Sequence, residues 1–124
     1  MKVLFVMLAA ILALILAGCA GECDPAKAVE SYLQAVVQSD ADAMRGLTCA
    51  ALEAQVQDRA SSFAAVDASL DGLSCARSGT DGSYTLVTCQ GAIVIDYGAE
   101  NSRIPLGTYR AIREDGDWKM CGEG

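Results

Sequence analysis

The spacing of hydrophobic positions divides the chain into three segments. Residues 3–17 are apolar without interruption. Between residues 24 and 70, apolar residues recur at every third or fourth position, which is typical of helices with one buried face. Beyond residue 72 the sequence is rich in Ile, Val, Thr and Tyr and is divided by turn residues, which is typical of strands. The pattern therefore predicts an apolar leader, a helical half and a sheet half.

The first helix is predicted to begin at Asp24-Pro25. Asp is favoured as an N-cap, and Pro is favoured at the first helical position. The apolar residues that follow have the spacing of a single helix face: Val29, Tyr32, Leu33, Val36 and Val37. Ser39 and Asp40 interrupt this pattern before a further helical turn at residues 41–47.

A second helix is predicted to begin at Thr48, which can serve as its N-cap. Asp71-Gly72 is expected to end it, because Gly is common directly after helices. No Pro-, Gly- or Ser-rich linker follows, so the sequence suggests no further domain. The expected buried stripe of this helix is Leu52, Val56, Ala60 and Phe63.

Four antiparallel strands are predicted in the second half: residues 73–77, 84–97, 104–113 and 118–121. Gly91 predicts a bulge that bends the long second strand, and Asp115-Gly116 predicts a tight turn before the last. Helices followed by a run of strands indicate the α+β class, with N-terminal helices packed on a curved antiparallel sheet of about four strands. Residues 25–124 are therefore predicted to form a single domain.

Charge excludes some partners. The full chain has 9 Lys and Arg against 16 Asp and Glu. Without Lys2, residues 19–124 have 8 against 16, which gives a net charge of −8. Nucleic acids and anionic lipids are polyanions and repel such a domain. No nucleic-acid partner is therefore expected, and the domain is not expected to lie flat on a membrane.

The apolar leader is too short to cross a bilayer comfortably. As a helix, residues 3–17 would reach about 22 Å, whereas the hydrocarbon core is roughly 30 Å thick. The basic Lys2 precedes the run and small residues follow it, as in a secretory signal peptide. The junction at residues 16–19, Leu-Ala-Gly-Cys, resembles a bacterial lipobox. That resemblance implies cleavage before Cys19 and a diacylglycerol thioether on its sulfur. An ordinary secretory signal and an uncleaved short anchor are the alternatives.

The resemblance to a lipobox also implies an organisation for the whole chain. Residues 1–18 would be a lipoprotein signal peptide, and residues 19–24 the lipidated Cys19 with a short tether. Residues 20–24 span at most about 17 Å, so the domain would lie close to the bilayer. The protein would be exported and lipid-anchored to the outer face of the cell membrane, or be periplasmic or on the outer membrane of a two-membrane cell.

Six cysteines in an exported chain indicate disulfides. Cys75 and Cys89 flank the turn-rich residues 79–83, so a hairpin would bring them together. They lie directly opposite each other if the loop centres on Gly82. If it centres on Asp81, they are diagonal and about 7–8 Å apart, which is outside disulfide range. A disulfide between them therefore predicts the first register.

Cys49 and Cys121 are the second predicted pair. The predicted Asp-Gly turn would point Cys121 away from the face shared by Trp118 and Met120, so this pair requires a bulge or a frayed end. Cys23 then remains, either free or linking two molecules as a dimer. Buried free thiols are the alternative for all five. The chain has no His and no cysteines with ligand spacing, so no metal site is expected.

Two parts of the sequence resemble a known fold. Residues 32–36, Tyr-Leu-Gln-Ala-Val, and residues 40–44, Asp-Ala-Asp-Ala-Met, resemble the opening of small exported domains with the nuclear transport factor two-like, or cystatin-like, fold. Residues 109–120 are similar to the last hairpin of these domains. The resemblance implies a cone whose open end can hold a small molecule. Some members of the family are dehydratases or isomerases that use His or Asp in the cone.

Candidate catalytic groups are few. Because the chain has no His, general acid–base chemistry would fall to a carboxylate, and Asp96 in the second strand is the one candidate. Strand alternation favours the opposite orientation, with Ile93, Ile95 and Tyr97 pointing inward and Asp96 outward. No Ser-His-Asp set or Gly-rich phosphate loop is present in the sequence, and no cofactor is expected.

Aromatic and basic residues of the predicted strands are further candidates. Cross-strand packing and the solubility of a sheet edge are the commoner roles of such residues. Three tyrosines would line a pocket in the cone: Tyr84, Tyr97 and Tyr109. Three arginines would receive an anion: Arg103, Arg110 and Arg113.

The anchor, the short tether, the acidic surface and the lack of catalytic groups favour a non-catalytic envelope lipoprotein. Its domain would bind a protein or a small ligand close to the membrane. The alternative function is a small-molecule isomerase or dehydratase that uses Asp96. A third is an assembly accessory in which Cys23 links two copies.

Overall fold

The computed structural model describes residues 23–124; the predicted signal peptide and Cys19 lie outside that range. The helical half consists of α1 (Pro25–Val37), α2 (Ala41–Leu47), a 3₁₀ helix (Ala50–Gln55) and α3 (Val56–Ser61). The strands are β1 (Asp67–Asp81), β2 (Tyr84–Asp96), β3 (Asn101–Pro105), β4 (Thr108–Glu114) and β5 (Asp117–Glu123). The α+β class is confirmed, because helices precede an antiparallel sheet that is not closed into a barrel.

Helix α1 begins as predicted. The carboxylate of Asp24 accepts a hydrogen bond from the backbone N–H of Ala26 at 2.9 Å, and Pro25 lies in the first turn. This cap satisfies one of the backbone donors that the start of a helix leaves without a partner. Four residues of the predicted stripe are buried against the sheet: Val29, Tyr32, Leu33 and Val36.

The predicted helix start at Thr48 is wrong. Thr48 is extended and ends α2, and its hydroxyl donates to the carbonyl O of Met44 at 2.6 Å. Thr48 also forms a parallel bridge with Met120, whose carbonyl O accepts a hydrogen bond from the N–H of Cys49 at 2.9 Å. Pairing with the last strand therefore overrides the local helix signal at this residue.

The predicted end of the second helix is also wrong. Helix α3 ends at Ser61 and β1 begins at Asp67, so Asp71-Gly72 lies inside a strand. The predicted apolar stripe nevertheless faces the core. Its buried members are Val56 and Ala60, and its partly buried members are Leu52 and Phe63.

The strand order is β1-β2-β4-β5, and β3 pairs with the second half of β2. The predicted third strand, residues 104–113, is therefore two strands, and the sheet has five strands rather than about four. At the break, the N–H of Leu106 donates to the carbonyl O of Gly91 at 3.0 Å. The N–H of Cys89 donates to the carbonyl O of Gly107 at 2.9 Å. These bonds hold β3 and β4 along the same edge of β2.

The sheet is irregular at Gly91, where the sequence predicts a bulge. Gly72 and Leu73 together lie opposite Gly91, so the extra residue belongs to β1. Gly91 has φ +102°, and a Cβ atom there would lie 2.5 Å from the carbonyl O of Asp71. Only glycine allows the two strands to approach so closely.

Two disulfides brace the domain, Cys49–Cys121 and Cys75–Cys89. They are the two pairs that the sequence analysis puts first. Cys75 lies directly opposite Cys89, with their Cα atoms 4.0 Å apart. The hairpin turns at residues 82–83, and a bulge at Ser78 shifts the register by one residue. This shift aligns the two cysteines.

Cys121 reaches Cys49 through the kind of bulge that this pairing requires. The predicted two-residue turn forms at Asp115-Gly116, with φ +53° and +85°. Further along β5 the register shifts, so that Cys121 and Gly122 together lie opposite one residue of β4. Gly122 has φ +105°, which places the bulge in the backbone region that glycine tolerates.

Cys23 is disulfide-bonded as well. Within residues 23–124 no cysteine is free. The expectation that Cys23 is free or links two molecules therefore finds no support in the structure.

Candidate functional site

An open cleft lies between the helices and strands β2–β5. It consists of two adjoining cavities with volumes of about 370 Å³ and about 40 Å³. The larger volume falls within the range of small-molecule sites, and the smaller one has room for a few waters. Four residues line both cavities and so mark where the two cavities meet: Tyr32, Arg59, Tyr109 and Glu123.

The wall of the larger cavity is mainly apolar. Helix α1 contributes one side of it, and strands β2, β3 and β4 contribute the other. The hydrogen bond from the Leu106 N–H to Gly91 fixes the sheet side, because it holds the β3–β4 connection against β2. Such a wall favours the apolar part of a ligand. Its apolar side chains are Leu33, Val36, Phe63, Ile93, Ile104 and Leu106.

Two buried phenols lie at the centre of the cleft. Tyr32 belongs to the buried stripe of α1 and is 5% exposed, and Tyr109 lies on β4 and is 9% exposed. Burial raises the pKa of the Tyr32 hydroxyl, an effect that the positive charge of Arg59 opposes and that Tyr109 and Glu123 reinforce. Burial also raises the pKa of Tyr109, against a backbone hydrogen bond from Gly107 that lowers it. Both phenols are therefore neutral hydrogen-bonding groups at physiological pH.

Two opposite charges lie at the rim. Arg59 on α3 and Glu123 at the end of β5 are both exposed and line both cavities. Within residues 23–124 their side chains form no salt bridge with each other or with another residue. Each therefore keeps its charge available to a bound molecule.

The raised pKa values of the two phenols make the free energy of unfolding decrease at alkaline pH. Their folded-state pKa values lie above the ordinary value of 10.0, so the folded state holds these protons more tightly than the unfolded chain. The free energy of unfolding is then fully maintained below about pH 10 and falls as the pH rises through the folded-state values. Replacing both residues, Tyr32→Phe with Tyr109→Phe, is expected to remove most of that decline. Urea unfolding from about pH 9 to about pH 11, followed by Trp118 fluorescence, measures it.

Tyr97→Phe is the control for this measurement, because Tyr97 is 61% exposed and lies outside the cleft. It should retain the alkaline decline of the wild type. A double variant that loses stability as steeply as the wild type would show that the two phenols are not responsible.

Of the three tyrosines predicted to line a pocket, the structure places only Tyr109 in the cleft. Tyr84 lies at the other end of β2, beneath the guanidinium of Arg110, 5.8 Å from the ring centre. Tyr97 is exposed just beyond the end of β2. Tyr84 and Tyr97 therefore lie outside this cleft.

Asp96 is exposed, as the alternation of the strand favours. Its carboxylate accepts a hydrogen bond from the N–H of Gly98 at 2.8 Å and so stabilises the turn after β2. Ile93 and Ile95 are buried. Asp96, the candidate base of the isomerase or dehydratase hypothesis, lines neither cavity.

The three arginines considered as anion receptors lie outside the cleft. Each has a partner on the exposed surface. Arg103 forms a salt bridge with Asp71 at 2.6 Å, and Arg110 forms one with Asp81 at 3.1 Å. Arg113 donates to a backbone carbonyl at 3.1 Å. Their interactions link neighbouring strands and turns.

Sequence reasoning missed Tyr32, Arg59 and Glu123 as site residues. Tyr32 carried a signal, because it is the one hydroxyl in the otherwise aliphatic stripe of α1. Arg59 carried a weaker one, because it borders the apolar stripe of α3 next to buried Ala60. Glu123 carried none, since only the bulge in β5 and the fold of the sheet bring it to the cleft.

No known protein family, curated protein or solved structure matches this chain. Residues 23–124 contain no group of His, Cys, Asp or Glu side chains arranged to hold a metal ion. Over the same residues, no helix has the length and apolar character needed to cross a membrane. The chemistry of the cleft therefore has to be inferred from its own residues.

Proposed function

We propose that this chain is an extracytoplasmic lipoprotein, anchored through Cys19, whose domain binds a small ligand in the cleft without transforming it. The observation that carries the proposal is the open cleft itself. It combines an apolar wall, two neutral phenols and two charges at its rim. Small-molecule sites commonly consist of such a wall with a few polar groups that fix orientation.

The architecture around the cleft supports this proposal. The sheet packs on α1 and leaves a cleft open beside β2, β3 and β4, as the cone of nuclear transport factor two-like domains would. Binding is favoured over catalysis because Asp96, the only base that the sequence suggests, lies outside the cleft.

The disulfides support the proposed location. Disulfides form and persist in oxidising compartments outside the cytoplasm, and the structure contains two whose partners are both described. The lipobox at residues 16–19 supplies the export signal and the anchor. Two or three acyl chains on Cys19 would hold the domain at the membrane, whereas one chain alone binds only marginally.

The test is binding of indole, a small apolar probe, by the processed full chain in a neutral detergent. We expect indole to shift the NMR methyl signals of Leu33, Val36 and Ile93, which line the cleft. Ile104→Trp should weaken binding by about fivefold or more, because the larger ring narrows the mouth of the cavity.

Tyr97→Trp is the matched control, since Tyr97 and Ile104 are both exposed large hydrophobic residues and only Ile104 lines the cleft. It should bind indole like the wild type. Methyl signals of the cleft that do not respond to indole, or equal binding by the two variants, would refute a ligand site here.

A further inference from the structure

Arg59 and Glu123 differ from the paired surface charges of the domain. Arg45, Arg103 and Arg110 each form a salt bridge with a nearby carboxylate, at 2.6–3.1 Å. Arg59 and Glu123 line the same two cavities and carry opposite charges, yet they are not within salt-bridge distance of each other. The fold therefore keeps two complementary charges apart at one binding cleft.

The backbone of each of these residues is fixed by its own element. The position of Arg59 is set by the orientation of α3, because Val56 and Ala60 of that helix are buried. Glu123 lies opposite Tyr109 in the register of β5 with β4, and its carbonyl O accepts a hydrogen bond from Arg110 at 2.9 Å. The helix and the strand thus fix where the backbones of Arg59 and Glu123 lie at the cleft.

The charges of Arg59 and Glu123 both act on the two buried phenols of the cleft. Tyr32 and Tyr109 each experience the charge of Arg59 and that of Glu123. Arg59 has the larger influence of the two on Tyr32, whereas Glu123 has the larger influence on Tyr109. Arg59 and Glu123 thus act with opposite sign on the same two phenols, Arg59 lowering and Glu123 raising their pKa values.

We infer that the ligand is a small zwitterion with an apolar group, such as an α-amino acid with a large apolar side chain. This inference rests on the proposed function. The carboxylate of the ligand meets Arg59, its ammonium meets Glu123, and its side chain contacts the apolar wall. A simple anion would be repelled by Glu123 and a simple cation by Arg59, so neither sign alone suits the cleft.

Three forms of one molecule test this assignment: L-phenylalanine, N-acetyl-L-phenylalanine and L-phenylalaninamide. The second lacks the cation and the third lacks the anion. Titration of the full chain, followed by calorimetry, should show L-phenylalanine binding about tenfold more tightly than either derivative.

Two charge-neutralising variants should change this order in opposite directions. Glu123→Gln should weaken binding of L-phenylalanine about fivefold and strengthen that of N-acetyl-L-phenylalanine, because the repulsion of its carboxylate is removed. Arg59→Gln should weaken L-phenylalanine binding similarly and strengthen L-phenylalaninamide binding. A variant that merely loosened the structure would weaken all three forms.

The single variants Arg45→Gln and Asp42→Asn are the controls. Each removes one charge of an exposed salt bridge that lies outside the cleft. Both should leave the three affinities unchanged. If the three forms bind within twofold of one another while indole still binds, the zwitterion assignment fails and the ligand site stands. If neither indole nor any of the three binds, both proposals fail.

Discussion

Replacement of Gly91 by alanine is expected to lower the free energy of unfolding by about 3–5 kcal/mol. An alanine Cβ would lie 2.5 Å from the carbonyl O of Asp71 and 2.7 Å from the backbone of Gly72. These are backbone atoms of the neighbouring strand, so no side-chain rotation can relieve the overlap. The backbone at Gly91, with φ +102°, is also one that alanine rarely adopts. Urea unfolding monitored by the fluorescence of Trp118 measures the change.

Gly98→Ala separates the two causes of this loss. Gly98 has φ +93°, but a Cβ there would have no atom within 4 Å. Its substitution should therefore lower stability only by the backbone term, about 1–2 kcal/mol. If Gly91→Ala were no more destabilising than Gly98→Ala, β1 would not approach β2 as closely at Gly91 as the structure shows. The strand irregularity at that position would then be contradicted as well.

Removal of the Cys49–Cys121 disulfide is also expected to lower the free energy of unfolding strongly. The bridge joins residues 72 positions apart, and for a loop of that size the chain-entropy model gives a contribution of about 4.4 kcal/mol. It also ties the 3₁₀ helix region to the end of β5, which carries Glu123 at the cleft. The double variant Cys49→Ala with Cys121→Ala should therefore be much less stable and should bind the cleft probes more weakly.

The Cys75→Ala, Cys89→Ala variant is the matched comparison, because it removes a bridge between residues only 14 positions apart. The same model gives about 3 kcal/mol for that loop. The longer bridge should thus contribute more. A larger loss of stability from removing Cys75–Cys89 would show that loop size does not govern the stabilisation here.

Sequence reasoning succeeded where the determinants are local. The Asp24 cap, the stripe of α1 and the turn at Asp115-Gly116 all follow from short-range chemistry, and the structure contains each of them. The Cys75–Cys89 pair followed from the geometry of a hairpin. The bulge at Cys121 is one of the two irregularities that strand periodicity requires if Cys121 pairs with Cys49.

Sequence reasoning failed where distant residues decide the structure. Thr48 has the character of a helix start, but its bridge to Met120 in the last strand keeps it extended. The predicted third strand is divided because the long β2 pairs with two separate strands, which no local pattern reveals. In each case a contact made late in the chain overrides the preference of a segment.

The site was only partly predictable for the same reason. Tyr109 was identified because an aromatic residue in a strand is a pocket candidate by type alone. Tyr84 and Tyr97 share that type but lie elsewhere, because their position along β2 takes them away from the cleft. Arg59 and Glu123 are distant in sequence, and only the folded chain brings both to the lining of one cavity.

The intact mass and disulfide map of the protein purified from bacterial membranes test the proposed lipid anchor at Cys19 directly. Cys23 is disulfide-bonded. A Cys19 sulfur that carries a lipid thioether cannot also form a disulfide, so the N-terminal peptide is decisive. Lipid anchoring predicts a chain that begins at Cys19, carries diacylglycerol on that sulfur and has the unprocessed mass in a Cys19→Ser variant. A chain that keeps residues 1–18, or one whose Cys19 sulfur lies in a disulfide, would contradict it.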